Sequence, residues 1–161
     1  MLETIRNKPK IEDVMRDVLS GGTLRNGVDF IAWLREYKMS PQWSAANSWK
    51  IAYKAHNVCV INLCGSYHNL EDGSWRVRAF IGEYDDSLLE EFKEIIWENV
   101  EYCTKCNTCR GERMMIFGKE FNNVCGRLHF INPNAKTIEC IKLLIPMRKN
   151  AIKEGKAHKH R

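Results

Sequence analysis

The stretch Ser48-Trp-Lys-Ile-Ala-Tyr-Lys-Ala-His-Asn-Val-Cys-Val-Ile-Asn-Leu-Cys64 decides the fold. Apolar and polar side chains alternate over 48–54, which is typical of a half-buried β-strand. The nearly continuous apolar run over 58–64 predicts a central strand, and alternation returns over 75–81. Turn residues separate the three segments, so we predict three consecutive antiparallel strands.

Helical periodicity flanks these strands on both sides. Apolar residues recur every three or four positions in four segments, which predicts helices over residues 11–18, 26–38, 86–100 and 133–153. We interpret 42–47 as a polar connector and 112–131 as two or three further short strands. The sequence therefore predicts a single α+β domain over residues 1–161, in which an antiparallel sheet is packed with helices.

Several residues are expected to set the helix boundaries. The pair Gly21-Gly22 is expected to end the first helix, and Asp86 or Ser87 to cap the third. Asn132 precedes Pro133, so it is expected to cap the last helix, with the proline at the first helical position. Pro146 lies inside that helix and predicts a kink or a break.

Composition and charge limit the possible functions. The chain has 161 residues, of which 44% are hydrophobic, and it contains no apolar run of the roughly 18 to 20 residues that span a bilayer. No apolar signal core follows Met1, so the expected location is cytoplasmic, without a membrane partner. The net charge of +5 equals the excess of basic residues within 148–161. We expect residues 154–161 to be a frayed tail, and we do not predict nucleic-acid binding from it.

A cluster of cysteines carries the clearest chemical signal. The chain has seven cysteines, an odd number that cannot pair completely, and a reducing compartment keeps thiols free. Zinc takes about four thiolate or imidazole ligands in a tetrahedron, and a Cys-x2-Cys turn supplies two of them. We predict a structural zinc, with Cys140 and His129 as reserve ligands, bound by Cys103, Cys106, Cys109 and Cys125.

Other chemistries remain open for the same cysteines. Three cysteines spaced by two residues open the bacterial ferredoxin signature, although Arg113 stands where its fourth cysteine belongs. A thiol-dependent redox pair is the next alternative, but here the motif follows a helix and precedes a strand. A zinc-ribbon-like nucleic-acid module with the basic tail is weaker. Cys59, Cys64 and Cys140 lie on apolar faces and are interpreted as buried thiols.

The predicted sheet also offers a candidate ligand pocket. Trp49, Tyr53 and Trp75 would lie on paired strands, where they could form the walls of a pocket with Arg76, Lys50 or Arg78 at its rim. Aromatic core packing is the competing interpretation. The histidines have no serine or acid at a catalytic spacing, so no catalytic residues are predicted. The favoured function is a non-catalytic domain that binds or senses a small molecule or a protein.

Several short segments are notable together: Trp49-Lys50-x-x-Tyr53-Lys54, Cys103-x-x-Cys106-x-x-Cys109, Phe117-Gly118-Lys119-Glu120-Phe121-x-x-Val124-Cys125 and Asn132-Pro133. In these the chain resembles a group of small, uncharacterised cysteine-motif proteins of anaerobic Gram-positive bacteria, over about residues 28–153. The resemblance implies a compact α+β domain and a single motif formed by the cysteines. It implies no activity.

Overall fold

The computed structural model describes residues 8–65, 69–81, 88–104 and 111–156. Within these ranges the chain forms an α+β domain, which confirms the predicted fold class. In chain order the elements are α1 (Ile11–Val18), α2 (Gly21–Glu36), β1 (Gln42–Ala45), β2 (Ser48–Tyr53), β3 (His56–Gly65), β4 (Leu70–Phe80), α3 (Glu90–Glu98), β5 (Val100–Tyr102), β6 (Glu112–Ile116), β7 (Lys119–Ile131) and α4 (Ala135–Lys153).

The seven strands form one antiparallel sheet in the order β1-β2-β3-β4-β7-β5, and β6 pairs with the other end of β7. The predicted meander of β2, β3 and β4 is confirmed. Strand β7 returns beside β4, with Phe130 opposite Val77 and Leu128 opposite Ala79. This pairing joins the last third of the chain to its middle.

The helices pack on one face of the sheet, which we call the apolar face. Trp75 on β4 and Phe30 on α2 are both fully buried, and their ring centroids lie 6.1 Å apart. The same core contains Met15 of α1 and Leu144 of α4. Burying one large apolar side chain contributes about 1.5–3 kcal/mol, so this layer supplies most of the driving force for folding.

Helix α2 begins earlier than predicted. Gly21, expected to end the first helix, is instead the first residue of α2, and only Leu19 and Ser20 separate the two helices. A Cβ at Gly27 would lie 3.2 Å from the Met15 sulfur. Gly27 therefore allows α1 and α2 to approach closely.

Two short strands were missed. Residues 42–47 were interpreted as a connector, but Gln42–Ala45 form the edge strand β1, with Trp43 opposite Trp49 and a register shift before Ala45. All four residues of β1 are exposed, so the strand shows no apolar alternation. Strand β5, Val100–Tyr102, follows α3 after a single residue and continues its apolar pattern.

The last third of the chain forms a long hairpin. Strands β6 and β7 pair across Phe117 and Gly118, which both have positive φ, at +47° and +85°. Positive φ at both central residues is the geometry of the tight turns that join antiparallel strands. Strand β7 then runs for 13 residues through Gly126, where two strands had been an alternative.

The last two helices differ from the prediction at their ends. Helix α3 starts at Glu90, and the expected caps Asp86 and Ser87 lie outside the described residues. Helix α4 is capped by Asn134, whose side chain accepts a hydrogen bond from the Thr137 amide at 2.9 Å. Asn132 instead accepts a hydrogen bond from the Trp75 amide.

Of the kink or break predicted at Pro146, the break is wrong, because helix α4 continues through the proline. The kink stays a prediction. Leu144 and Ile145 beside the proline are buried in the core. Their burial offsets the backbone hydrogen bond that proline removes. No helix among the described residues is long and apolar enough to cross a membrane.

Candidate functional site: a cationic cluster on the polar face

Strand alternation places charged side chains on the face of the sheet opposite the helices. Arg76 and Arg78 alternate along β4 with Trp75, Val77 and Ala79, which lie in the core. On the neighbouring strands, Asn62 pairs with Arg76 and His129 pairs with Arg78. We call this surface the polar face and define it by Ser48, Asn62, Arg76, Arg78, Glu101, Arg127 and His129.

A chain of hydrogen bonds holds Arg76 in place. Its Nε and Nη2 atoms donate to Asn62 Oδ1 at 3.1 Å and 2.8 Å. Asn62 Nδ2 in turn donates to Ser48 Oγ at 3.1 Å, and Ser44 donates to the Ser48 carbonyl. Asn62 is 2% exposed and Arg76 is 6% exposed, so this network is buried. Four strands thereby fix the orientation of one guanidinium group.

A single carboxylate serves two of the neighbouring arginines. Glu101 Oε2 lies 3.4 Å from Arg78 Nε and 3.2 Å from Arg127 Nε. In the described part of the chain, no carboxylate forms an ion pair with Arg76. Among the described residues that define this face, three guanidinium groups and one carboxylate thus leave two positive charges uncompensated.

Burial and the neighbouring charges lower the pKa values of Arg76 and Arg78. Burial lowers the pKa of Arg76 to about 10, and the charges of Arg78 and Arg127 act in the same direction while Glu101 opposes them. Burial also lowers the pKa of Arg78, again against Glu101. Both shifts mean that the surroundings disfavour the charged form, although both groups stay protonated at neutral pH.

His129 adds a titratable group to the cluster. Burial, followed by the charge of Arg76, lowers the pKa of His129, so its imidazole is neutral at pH 7. Its Nε2 atom is buried and has no hydrogen-bond partner among the described residues. A neutral imidazole nitrogen can donate or accept a hydrogen bond, depending on the tautomer. His129 can therefore adjust to a ligand.

Two of the four predicted zinc ligands lie close to the pairing of β5 and β7: Cys103 directly follows β5, and Cys125 is on β7. The Cys103 amide donates to the Asn123 carbonyl at 2.7 Å, and Tyr102 pairs with Val124, the residue before Cys125. A Cβ at Gly111 would lie 3.0 Å from Cys103 Cβ, so both ends of the intervening segment meet here.

The other two predicted ligands, Cys106 and Cys109, lie outside the described residues. Within the ranges that the structure describes, no three histidine, cysteine or acidic side chains are grouped as metal ligands. Cys125 lies on β7 beside the polar face, two residues before Arg127, so a negative charge on its sulfur would raise the pKa of Arg78. Cys125 and the cationic cluster are therefore adjacent.

The remaining cysteines lie in apolar surroundings. Cys59 on β3 and Cys140 on α4 are fully buried, and burial raises the pKa of each thiol to about 12. The Cys140 sulfur lies 3.7 Å from the Phe92 carbonyl oxygen. Cys140 thus packs between α3 and α4, and the other reserve ligand, His129, belongs to the cationic cluster.

The structure does not bring the four residues of the expected ligand pocket together. Trp49 and Trp75 are buried in the core beneath the helices. Tyr53 is half-buried, with Lys149 Nζ 5.1 Å from its ring centroid. Arg76 follows Trp75 directly and lies on the opposite face. Core packing explains the tryptophans, and the polar face is the candidate site instead.

Sequence reasoning identified Arg76 and Arg78 but missed their partners. Asn62 could have been identified from the sequence, because it is the polar residue within the otherwise apolar run of β3. Glu101 and Arg127 carried no such signal, because their contact depends on how β5, β7 and β4 assemble.

Comparison with protein-family models finds no match. Searches of curated proteins and of solved structures find none either. The function is therefore argued from the chemistry of the site.

Proposed function

We propose that this protein is a non-catalytic small-ligand-binding or sensing domain, and that its polar face receives an anionic ligand. We also propose that the protein binds one structural zinc through Cys103, Cys106, Cys109 and Cys125. The observation that carries the ligand assignment is the cluster of three guanidinium groups around one carboxylate on a largely buried face.

The charge imbalance favours a bound anion. Burying a charge without a partner costs several kcal/mol, and apolar residues of similar volume are often equally stable or more stable. Arg76 lacks a carboxylate partner among the described side chains, so protein stability does not account for it. An anion between the arginines would neutralise the face.

The donors suit binding better than bond cleavage. Guanidinium groups remain protonated and cannot act as general bases, whereas their planar forks match the oxygens of carboxylates and phosphates. The network from Ser44 to Arg76 fixes one fork before a ligand arrives. Such preorganisation lowers the entropy cost of binding.

The proposed zinc would stabilise the adjoining sheet edge. Strand β5 has three residues and lies beside β7, and Cys103 and Cys125 are near this pairing. Four thiolates saturate zinc and leave no position for a catalytic water. A structural role for the metal is therefore consistent with a binding domain.

Thermal unfolding of the full chain tests the ligand assignment. At constant ionic strength, anions such as sulfate, phosphate, acetate and citrate are compared with neutral glycerol and cationic choline. A ligand at 100 times its Kd stabilises the folded state by about 2.7 kcal/mol, so a binding anion raises the Tm. The rise should disappear in Arg76→Met and persist in Arg113→Gln, an exposed arginine paired with Glu120. If no anion raises the Tm, the proposal is wrong.

Elemental analysis of anaerobically purified protein tests the metal. About one zinc per chain and a colourless solution are expected, and Cys103→Ser or Cys125→Ser should lose the zinc. Cys64→Ala is the matched control, because Cys64 is buried in β3. Iron with sulfide, or no metal with reactive thiols, would contradict structural zinc and support the redox alternative.

A further inference from the structure

The arginines of the polar face retain hydrogen-bond donors that the protein does not use. A guanidinium group has five N–H donors. Arg76 directs its Nε and one Nη2 hydrogen to Asn62, and Arg78 and Arg127 come closest to Glu101 through Nε. Among the described residues, the outer Nη edges of all three make no hydrogen bond. They are available to a ligand with several oxygens.

The net charge of the cluster indicates how much negative charge the ligand carries. Among the described residues that define the polar face, three guanidinium groups and the Glu101 carboxylate sum to two positive charges. A phosphate group carries about −1.5 to −2 at pH 7, and it has three strong acceptor oxygens. A carboxylate or a phosphate diester carries a single charge and would leave the face positive.

Apolar side chains lie directly beside the charged groups. Ile131, the last residue of β7, pairs with Arg76 on β4 and is 52% exposed. Val60 pairs with Arg78 on the other side and is half-buried. An organic group attached to the phosphate could rest on these two side chains and exclude water from the arginines.

We infer that the polar face binds a phosphate monoester. The phosphate contacts the Nη edges of Arg76, Arg78 and Arg127, and the organic group lies on Ile131. Glu101 offsets part of the positive charge of Arg78 and Arg127 before the ligand binds, so it competes with the phosphate. This inference rests on the proposed function, because it names the chemical class of the same anionic ligand.

Isothermal titration calorimetry of the full chain at pH 7.5 and fixed ionic strength distinguishes the ligand classes. The probes are phenyl phosphate, inorganic phosphate, sulfate, dimethyl phosphate and acetate. Phenyl phosphate should bind most tightly, followed by inorganic phosphate and sulfate, which are dianions without an organic group. Dimethyl phosphate and acetate should bind at least about tenfold more weakly, because each carries one charge. Dimethyl phosphate also represents the phosphodiesters of nucleic-acid backbones and phospholipids.

Variants with opposite expected effects on Kd test which residues bind the phosphate. Arg76→Gln should weaken phenyl phosphate at least about tenfold, whereas Arg113→Gln changes the net charge equally but lies off the face and should leave Kd unchanged. Glu101→Gln should strengthen binding, because it removes the competing negative charge. Ile131→Ala should weaken phenyl phosphate while leaving sulfate unchanged. If Arg76→Gln does not fold, Arg76→Lys keeps the charge, loses the fork and should bind with intermediate affinity.

The outcomes separate this inference from the proposed function. If acetate and dimethyl phosphate bind as tightly as phenyl phosphate, the monoester assignment is overturned while anion binding stands. If none of the probes binds, both fail. Weaker binding in Glu101→Gln, or an equal loss in Arg113→Gln, would overturn the assignment of the phosphate to the arginine cluster.

Discussion

The two faces of the sheet are built from alternate residues of the same strands, and they are stabilised in different ways. Trp75 and Arg76 are neighbours on β4, and both are almost fully buried. Trp75 packs against Phe30, and such packing needs only a matching shape. Arg76 depends on hydrogen bonds that it donates to Asn62 Oδ1, and it retains unused donors. Buried area alone therefore does not distinguish a structural residue from a binding residue, and an unpaired donor does not either, because Trp75 Nε1 is buried without a hydrogen-bond partner among the described residues. Charge without a carboxylate partner distinguishes Arg76 from Trp75.

The largest expected contrast between the faces is in thiol reactivity. Cys59 lies on the apolar face, and its pKa of about 12 leaves about one thiol in 10,000 ionised at pH 8. Cys64, near the end of the same strand, is 8% exposed, whereas Cys59 is fully buried. Iodoacetamide at pH 8 followed by peptide mass spectrometry should label Cys64 well before Cys59. Equal labelling rates in the folded protein would show that the apolar face is open to solvent.

Truncation on the apolar face should have the next largest effect. Phe30→Ala leaves a cavity against Trp75 and should lower the free energy of unfolding by about 3–5 kcal/mol, measured by urea titration. Leu143→Ala, at an exposed position on α4, is the control and should change it by less than about 0.5 kcal/mol. A loss below about 1 kcal/mol for Phe30→Ala would contradict the packing described for this face.

A replacement on the polar face should act in the opposite direction. Arg76→Met removes a buried charge that has no carboxylate partner, so ligand-free stability should stay the same or increase by up to about 4 kcal/mol. The same variant should lose anion binding. The measurement is urea unfolding with and without sulfate. A loss of about 3 kcal/mol or more, which is the cost of breaking a buried ion pair, would make Arg76 a structural residue.

The smallest effect concerns pH. Burial and the charge of Arg76 lower the pKa of His129 in the folded protein, so protonation favours the unfolded state. The contribution of neutral His129 to stability is present above the pKa of histidine in the unfolded chain, about 6.5, and is lost progressively as the pH falls below that value. Urea titrations between pH 8 and pH 5.5 should show a smaller decline for His129→Gln than for the wild type. Identical declines would remove His129 from the charged cluster.

The sequence predicts the central part of the fold well because the signals there are local. Alternation in β2 and β4 and the apolar run in β3 are visible within seven residues, and the meander is confirmed. Strands β1 and β5 were missed, because an exposed edge strand has no apolar side and β5 continues the apolar pattern of α3. Gly21 was misinterpreted because glycine ends helices more often than it begins them.

The candidate site was only partly predictable. Alternation along β4 places Arg76 opposite Trp75, so strand geometry applied strictly would have separated the arginine from the aromatic pocket. The contacts of Glu101 and Arg127 depend on the return of β7 beside β4, between segments about 50 residues apart. Such long-range pairing leaves no local pattern. The zinc ligands remain a prediction from spacing.

The edge strand β1 has a further consequence for how copies of the protein meet. It has four residues, it follows Pro41, and its register shifts between Trp43 and Ala45. Proline donates no backbone hydrogen bond, and a bulge twists the edge away from a flat template. A second chain finds few regularly spaced backbone groups there to pair with. The edge strand β1 can therefore remain exposed at high protein concentration without pairing with the sheet of a second molecule.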